Sequence, residues 1–177
     1  MRGYSIAQRI YGTVDYRAAR YVILPDFMVR QAFLTDSKAE KEKRSGTLQL
    51  SQTSMRIRQT RAGAAVDEAG LLPQFSTYGG VCYLTTTLLA HYYYNDAAGY
   101  NDLKEITVAA IPNGRLQAKD NPDASTSFWM AGRNAPARGE GFRVRISFSQ
   151  LRQFAKWRAQ TIQYDTENNH VLYQWEE

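Results

Sequence analysis

The chain has 177 residues, enough for one domain with a sizeable core. Hydrophobic residues make up 44% and aromatic residues 12%, which excludes an intrinsically disordered chain, and twelve tyrosines with seven phenylalanines lean the fold towards strands. The formal charge of +5 is modest but regional: residues 114–158 hold nine basic and three acidic side chains, whereas residues 165–177 hold four acids and no lysine or arginine, the uneven distribution that a phosphate-binding surface requires.

Cys82 is the only cysteine, so neither an intrachain disulfide nor a cysteine-based zinc site can form. The opening residues Met1 to Tyr11 lack the apolar stretch of a signal peptide, and no apolar run approaches the ~20 residues needed to span a bilayer. The expectation is a soluble cytoplasmic protein with no membrane contact.

In chain order, residues 13–24 and 27–35 are rich in β-branched and aromatic side chains and are separated by Pro25-Asp26, a turn pair, so they read as adjacent strands. Residues 39–44 form a solvated charged run, after which Ser45 is placed to cap a short helix towards Met55. Residues 63–80 read as a connector rich in Gly and Ala. The run Val81 to Tyr94 reads as a buried strand, although periodicity alone does not separate it from a helix. Ile106 to Ile111 is a cleaner strand. From Pro112 to Gly141 the density of Gly, Pro, Asn, Asp and Ser predicts a long ordered loop, in which Asn121 and Asp123 are placed for Asx turns. Phe142, Val144, Ile146 and Phe148 alternate with Arg143, Arg145 and Ser147, a strict period of two that puts both arginines on one strand face. Ser149 then suits the N-cap of a helix through about Gln160, with Leu151, Phe154 and Trp157 as its core stripe.

Asp15, the strand-like run that follows, then Asp36-Ser37-Lys38 give an order of acid, strand, acid and lysine. Phosphodiester hydrolysis needs converging carboxylates to hold a divalent cation and a nearby cation to steady the attacking oxygen. Read alone, Asp15 equally suits a strand edge, Asp36 a turn cap, and Lys38 plain solvation. Glu40 belongs to the charged run, with an indirect metal contact as the weaker reading. His91, among Leu89, Tyr92 and Tyr93, reads as a core histidine.

Three segments carry a family resemblance: Thr13-Val-Asp-Tyr-Arg17; the run from Phe33 to Arg44 with Thr47 to Gln52; and Arg115 through Asn121-Pro-Asp123, Thr126-Ser-Phe128 and Ala131-Gly132 to Pro136-Ala-Arg-Gly-Glu140. Together, in this order, they resemble the SfiI family of type II restriction endonucleases, from about Tyr4 to about Tyr164. The resemblance implies an α/β fold, a restriction-endonuclease-like core whose mixed β-sheet is flanked by helices. It places Asp15, Asp36 and Lys38 at the positions of the PD-(D/E)xK nuclease triad, with Mg²⁺ as cofactor held by Asp15 and Asp36. The expected partner is double-stranded DNA, read by Arg143 and Arg145 with Arg133, Arg138 and Glu140 of the preceding loop, since arginine reads guanine and a carboxylate accepts from cytosine. The family further implies an interrupted palindrome of GGCC half-sites, a homodimer or homotetramer, and a cognate DNA methyltransferase in the same system. The expected organisation is a single nuclease domain over residues 1–177, truncated at its amino terminus relative to the family. The rival reading is a catalytically silent DNA-binding remnant.

Overall fold

Alternating β-branched and aromatic side chains make strands the dominant element. The computed structural model describes residues 5–7, 20–24, 30–41, 46–50, 52–61, 63–95, 102–117, 121–132, 143–165 and 167–173, with side chains from residue 30 onward, Tyr78 excepted. Its larger sheet runs in the order β1 (Ser5–Ala7), β2 (Arg20–Leu24), β3 (Gln31–Lys41), β8 (Val81–Asn95), β9 (Asp102–Pro112), β12 (Ala159–Asp165) and β13 (His170–Tyr173), with β7 (Phe75–Tyr78) also pairing with β8. The sheet is mixed: β3 and β8 run parallel and its other pairs are antiparallel.

A parallel pair cannot be joined by a hairpin. The chain between β3 and β8 therefore makes a long excursion, through β4 (Thr47–Leu50) and the hairpin β5 (Ile57–Arg61) with β6 (Ala64–Glu68). There β4 joins a second, three-stranded sheet, in the order β10 (Trp129–Ala131), β11 (Val144–Ser147), β4. Both sheets contribute to one apolar cluster, in which Leu89, Ala109, Ile111 and Ala159 of the larger sheet meet Leu48, Leu50, Trp129, Val144 and Ile146 of the smaller.

Several expectations are corrected. The short helix expected towards Met55 gives way to a strand, while its expected cap Ser45 lies outside the described residues: Thr47-Leu48-Gln49-Leu50 alternates half-buried and buried positions, and its pairing with β11 satisfies the backbone as a strand. The connector over residues 63–80 contains β6 and β7, and the long loop after Pro112 contains β10. The helix α1 (Phe148–Phe154) is capped by Ser147, not Ser149, with the Ser147 hydroxyl accepting from the Gln150 amide. It ends at Phe154, followed by a 3₁₀ turn at Lys156–Arg158, so of the expected core stripe Leu151 is fully buried while Phe154 and Trp157 stay about half exposed, at 48% and 47%. Among the described residues the helical flanking of the sheet is sparse.

The loop before β11 is braced by side chains that imitate strand backbone. Gln59 is buried, its Nε2 donating to the Trp129 carbonyl at 2.9 Å and its Oε1 accepting from the Ala131 amide at 2.8 Å. Asn121 does the same for β5, accepting from the Arg58 amide and donating to the Arg56 carbonyl, so it forms a bridge rather than the expected Asx turn. Asp123 does form that turn, accepting from the Ser125 amide and hydroxyl.

Gln59→Ala strands two buried backbone groups at once. With about 1–3 kcal/mol for each unsatisfied group, a loss of about 2–6 kcal/mol is expected from urea unfolding. A loss within about 0.5 kcal/mol, the range of an ordinary surface substitution, would show that water replaces the amide.

Candidate active site and nucleic-acid interface

The strand β3 changes character along its length. Its core-facing side begins with buried Ala32 and Leu34 and continues with half-buried Asp36, Lys38 and Glu40, one residue in two as pleating requires. Asp36 and Lys38 therefore share a face, with Lys38 Nζ 3.5 Å from Asp36 Oδ2 and side-chain exposures of 31% and 17%. The parallel ladder sets Asp36 beside Leu89 and Lys38 beside His91. Asp15, the other expected metal ligand, lies outside the described residues, as do Arg133, Arg138 and Glu140.

His91 is buried, as a core histidine should be, but it also borders the charged side of β3. Its Nε2 faces Glu40 Oε2 at 3.2 Å, and its ring stacks on Phe148 with centroids 5.7 Å apart. This contact was not legible in the sequence because it depends on the register between strands fifty residues apart. It pulls Glu40 out of the purely solvated role expected for the charged run.

Asp36 suits a hard cation such as Mg²⁺, since its carboxylate offers oxygen donors and such ions take only one or two protein carboxylates beside water and phosphate oxygens. Among the described residues no cluster of three or more His, Cys, Asp or Glu side chains is arranged for a metal, and Asp15 lies outside that set.

The second group of expected residues lies on the smaller sheet. Its inner face carries Trp129, Ala131, Val144, Ile146, Leu48 and Leu50, all buried, so the outer face presents the alternate residues Met130, Arg145, Gln49 and Thr47. Arg143 precedes β11 on the same outer side as Arg145, in accord with the period of two. Its carbonyl accepts from the Gly132 amide at 2.7 Å, and a Cβ on Gly132 would lie 2.6 Å from that carbonyl oxygen, so only glycine lets the two backbones meet. Both arginines have partners on β4: Arg145 Nε donates to Thr47 Oγ1 at 2.7 Å, and the Arg143 guanidinium donates to the Gln49 amide oxygen, with Nε at 3.0 Å, in the amide orientation that satisfies both groups. Gln49 and Thr47 fell within a resembling segment but had no assigned role, because the pairing that brings them to the arginines spans 98 residues of sequence.

No helix among the described residues is long and apolar enough to cross a membrane.

Comparison with known proteins adds four findings. The family model for type II restriction enzyme SfiI matches residues 1–162. The type II restriction enzyme SfiI of Streptomyces fimbriatus is 37% identical over 183 residues, covering 97% of this chain and 68% of the relative. The crystal structure of the tetrameric restriction endonuclease SfiI bound to cognate DNA superposes with a TM-score of 0.68 and 31% identity, covering 99% of this chain and 74% of the other. The restriction endonuclease BglI bound to its DNA recognition sequence also gives a TM-score of 0.68, at 14% identity over 92% of this chain and 65% of its own, a likeness of fold alone. The mixed-sheet core is therefore that of the restriction endonucleases, and the chain belongs to the SfiI family of type II restriction enzymes.

Proposed function

We propose that this chain is a Mg²⁺-dependent endonuclease that cuts double-stranded DNA at an interrupted palindrome of GGCC half-sites, using Asp15, Asp36 and Lys38. The observation that carries the chemical part is the pairing of Asp36 with Lys38 at 3.5 Å on one face of β3, where the strand leaves the apolar core. A carboxylate and an ammonium held side by side at partial exposure suit a reaction whose charge develops on phosphate oxygens.

Asp15 and Asp36 would hold the ion, which when bound supplies charge neutralisation at the phosphate and acidifies water. Lys38 would orient the attacking water oxygen by donating a hydrogen bond and would stabilise its developing negative charge. In-line attack breaks the bond from phosphorus to the 3′ oxygen, leaving a 5′-phosphate and a 3′-hydroxyl.

Sequence readout belongs to the smaller sheet in this reading. Arg143 and Arg145 meet guanine O6 and N7, with Arg133, Arg138 and Glu140 contributing from the adjoining loop. Each bidentate pair discriminates by ~1–3 kcal/mol. The GGCC sequence is what the family resemblance of the sequence implies, and the DNA-bound tetramer of SfiI supports a homodimer or homotetramer that matches a two-fold site. A host with such a nuclease also requires a cognate DNA methyltransferase.

Two substitutions test the halves separately. Asp36→Ala should abolish Mg²⁺-dependent cutting of a plasmid carrying two GGCCNNNNNGGCC sites while preserving binding to that site in Ca²⁺; undiminished cutting would remove Asp36 from the metal site. Arg145→Ala should lower affinity for a duplex with that site by about 10-fold or more, as expected for a guanine contact of ~1–3 kcal/mol, and change affinity for a scrambled duplex far less. Equal losses on both duplexes would make Arg145 a phosphate contact.

A further inference from the structure

We propose that Thr47 and Gln49 of β4 are positioning residues for sequence readout, holding the Arg145 and Arg143 guanidiniums in the orientation that meets base edges. The selectivity of the face then depends on residues of two strands. This rests on the reading of the two arginines as guanine contacts given above.

The two hydrogen bonds share one geometry. In the ladder Arg145 sits opposite Gln49, and Thr47 sits opposite Ser147. Arg145 nevertheless donates to Thr47, two residues along β4 from its own level. Arg143, one step beyond the Val144–Leu50 pair, reaches Gln49 and is likewise displaced by two residues. Both side chains therefore lean the same way along β4, and the guanidiniums are set as a matched pair. A diagonal neighbour of this kind lies roughly 7–8 Å away, within reach of a long side chain.

The chemistry of the two acceptors matters as much as their position. A hydroxyl and an amide oxygen fix a guanidinium without cancelling its charge. The hairpin of β5 and β6 shows the contrast: Asp67 accepts from Arg56 and Arg58 as a carboxylate, and the hydrogen bond from Arg56, with Arg58 adding to it, lowers its pKa to about 2. Those two arginines share one full negative charge. The acceptors that β4 supplies to Arg143 and Arg145 are uncharged, so these contacts orient the guanidiniums without adding a carboxylate beside them. Arginine otherwise loses considerable rotamer freedom on binding, so a guanidinium ordered beforehand loses less when it meets a base.

The decisive variants are Thr47→Val, which keeps the β-branched shape and removes the acceptor, Thr47→Ser, which keeps the hydroxyl, and Gln49→Leu. Affinity is measured in Ca²⁺ at fixed salt for a duplex carrying GGCCNNNNNGGCC and for a scrambled duplex of equal length, with melting temperature followed in parallel. Thr47→Val and Gln49→Leu should each reduce the preference for the specific duplex by about tenfold, the scale of ordering one rotamer-rich side chain. The scrambled-duplex affinity and melting temperature should hold, and Thr47→Ser should restore the preference. An unchanged preference, or equal loss on both duplexes, overturns the proposal. Arg145→Ala separates it from the reading beneath: if that variant loses preference while Thr47→Val and Gln49→Leu do not, the positioning role alone fails. If wild type binds both duplexes equally, the reader assignment fails and this proposal with it. A second readout needs no DNA: the Arg145 Nε–H should exchange with water faster in Thr47→Val, and unchanged exchange would remove the hydrogen bond itself.

Discussion

The parallel ladder between β3 and β8 is the constraint on which the rest of the molecule depends. It runs from the Gln31–Leu84 pair to the Lys41–Tyr94 pair, and side chains along it alternate faces. A slip of one residue would carry Asp36, Lys38 and Glu40 to the opposite face and put Ser37 and Ala39 in their place. Buried Leu34 on one strand and Leu89 on the other fix the register by burial, and the charged residues that follow inherit their positions from it. The same ladder forces the long crossover, because parallel strands have no short connection. That crossover delivers β4 to the smaller sheet, so one topological requirement serves both the proposed cutting strand and the proposed reading strand.

These two parts are also joined by direct contact. Phe148, the first residue of α1, follows β11 without a break and stacks on His91, which the ladder sets beside Lys38. The Phe148 amide donates to the Gly46 carbonyl just before β4, and Arg152 of α1 donates to the Ala159 carbonyl and the Thr161 hydroxyl on β12. The short helix is thus tied to β8 and β12 of the larger sheet and to the entry of β4. A displacement of β11 would have to move a ring that packs against the neighbour of Lys38. In close-packed interiors such shifts are transmitted rather than absorbed.

Much of the larger sheet was legible in the sequence because its signals are local. The run Val81 to Tyr94 and the strand ending at Ile111 announce themselves by composition, and Arg143 with Arg145 by alternation. Asp36 and Lys38, two apart, follow from the same periodicity once the strand is extended past Thr35, where the charged run disguises its continuation. The smaller sheet was less legible. A four-residue segment such as Thr47 to Leu50 carries too few residues to distinguish strand from helix, and its partner β11 comes nearly a hundred residues later. Trp157 misled by spacing alone: it fits a helical stripe, but the helix ends at Phe154 and the 3₁₀ turn leaves the indole half exposed over the Arg158 guanidinium, which lies 3.9 Å from the ring centre.

The side chains least legible of all are the amides, and they brace the strands around the proposed reading face. Gln59 completes the hydrogen bonding of β10, Asn121 that of β5, and Gln49 meets Arg143. Gln59 and Asn121 replace backbone partners that a regular strand would have supplied, Gln49 meets a guanidinium, and each acts between segments remote in sequence. An amide carries donor and acceptor together, so it can close a gap between strand edges that a hydroxyl or a carboxylate would leave half satisfied. Strand edges braced this way have these backbone groups paired before any ligand arrives, so less order remains to be imposed on them by binding. Among the described residues, order at the edges of β10 and β5 is therefore a property of buried side-chain amides that join segments remote in sequence.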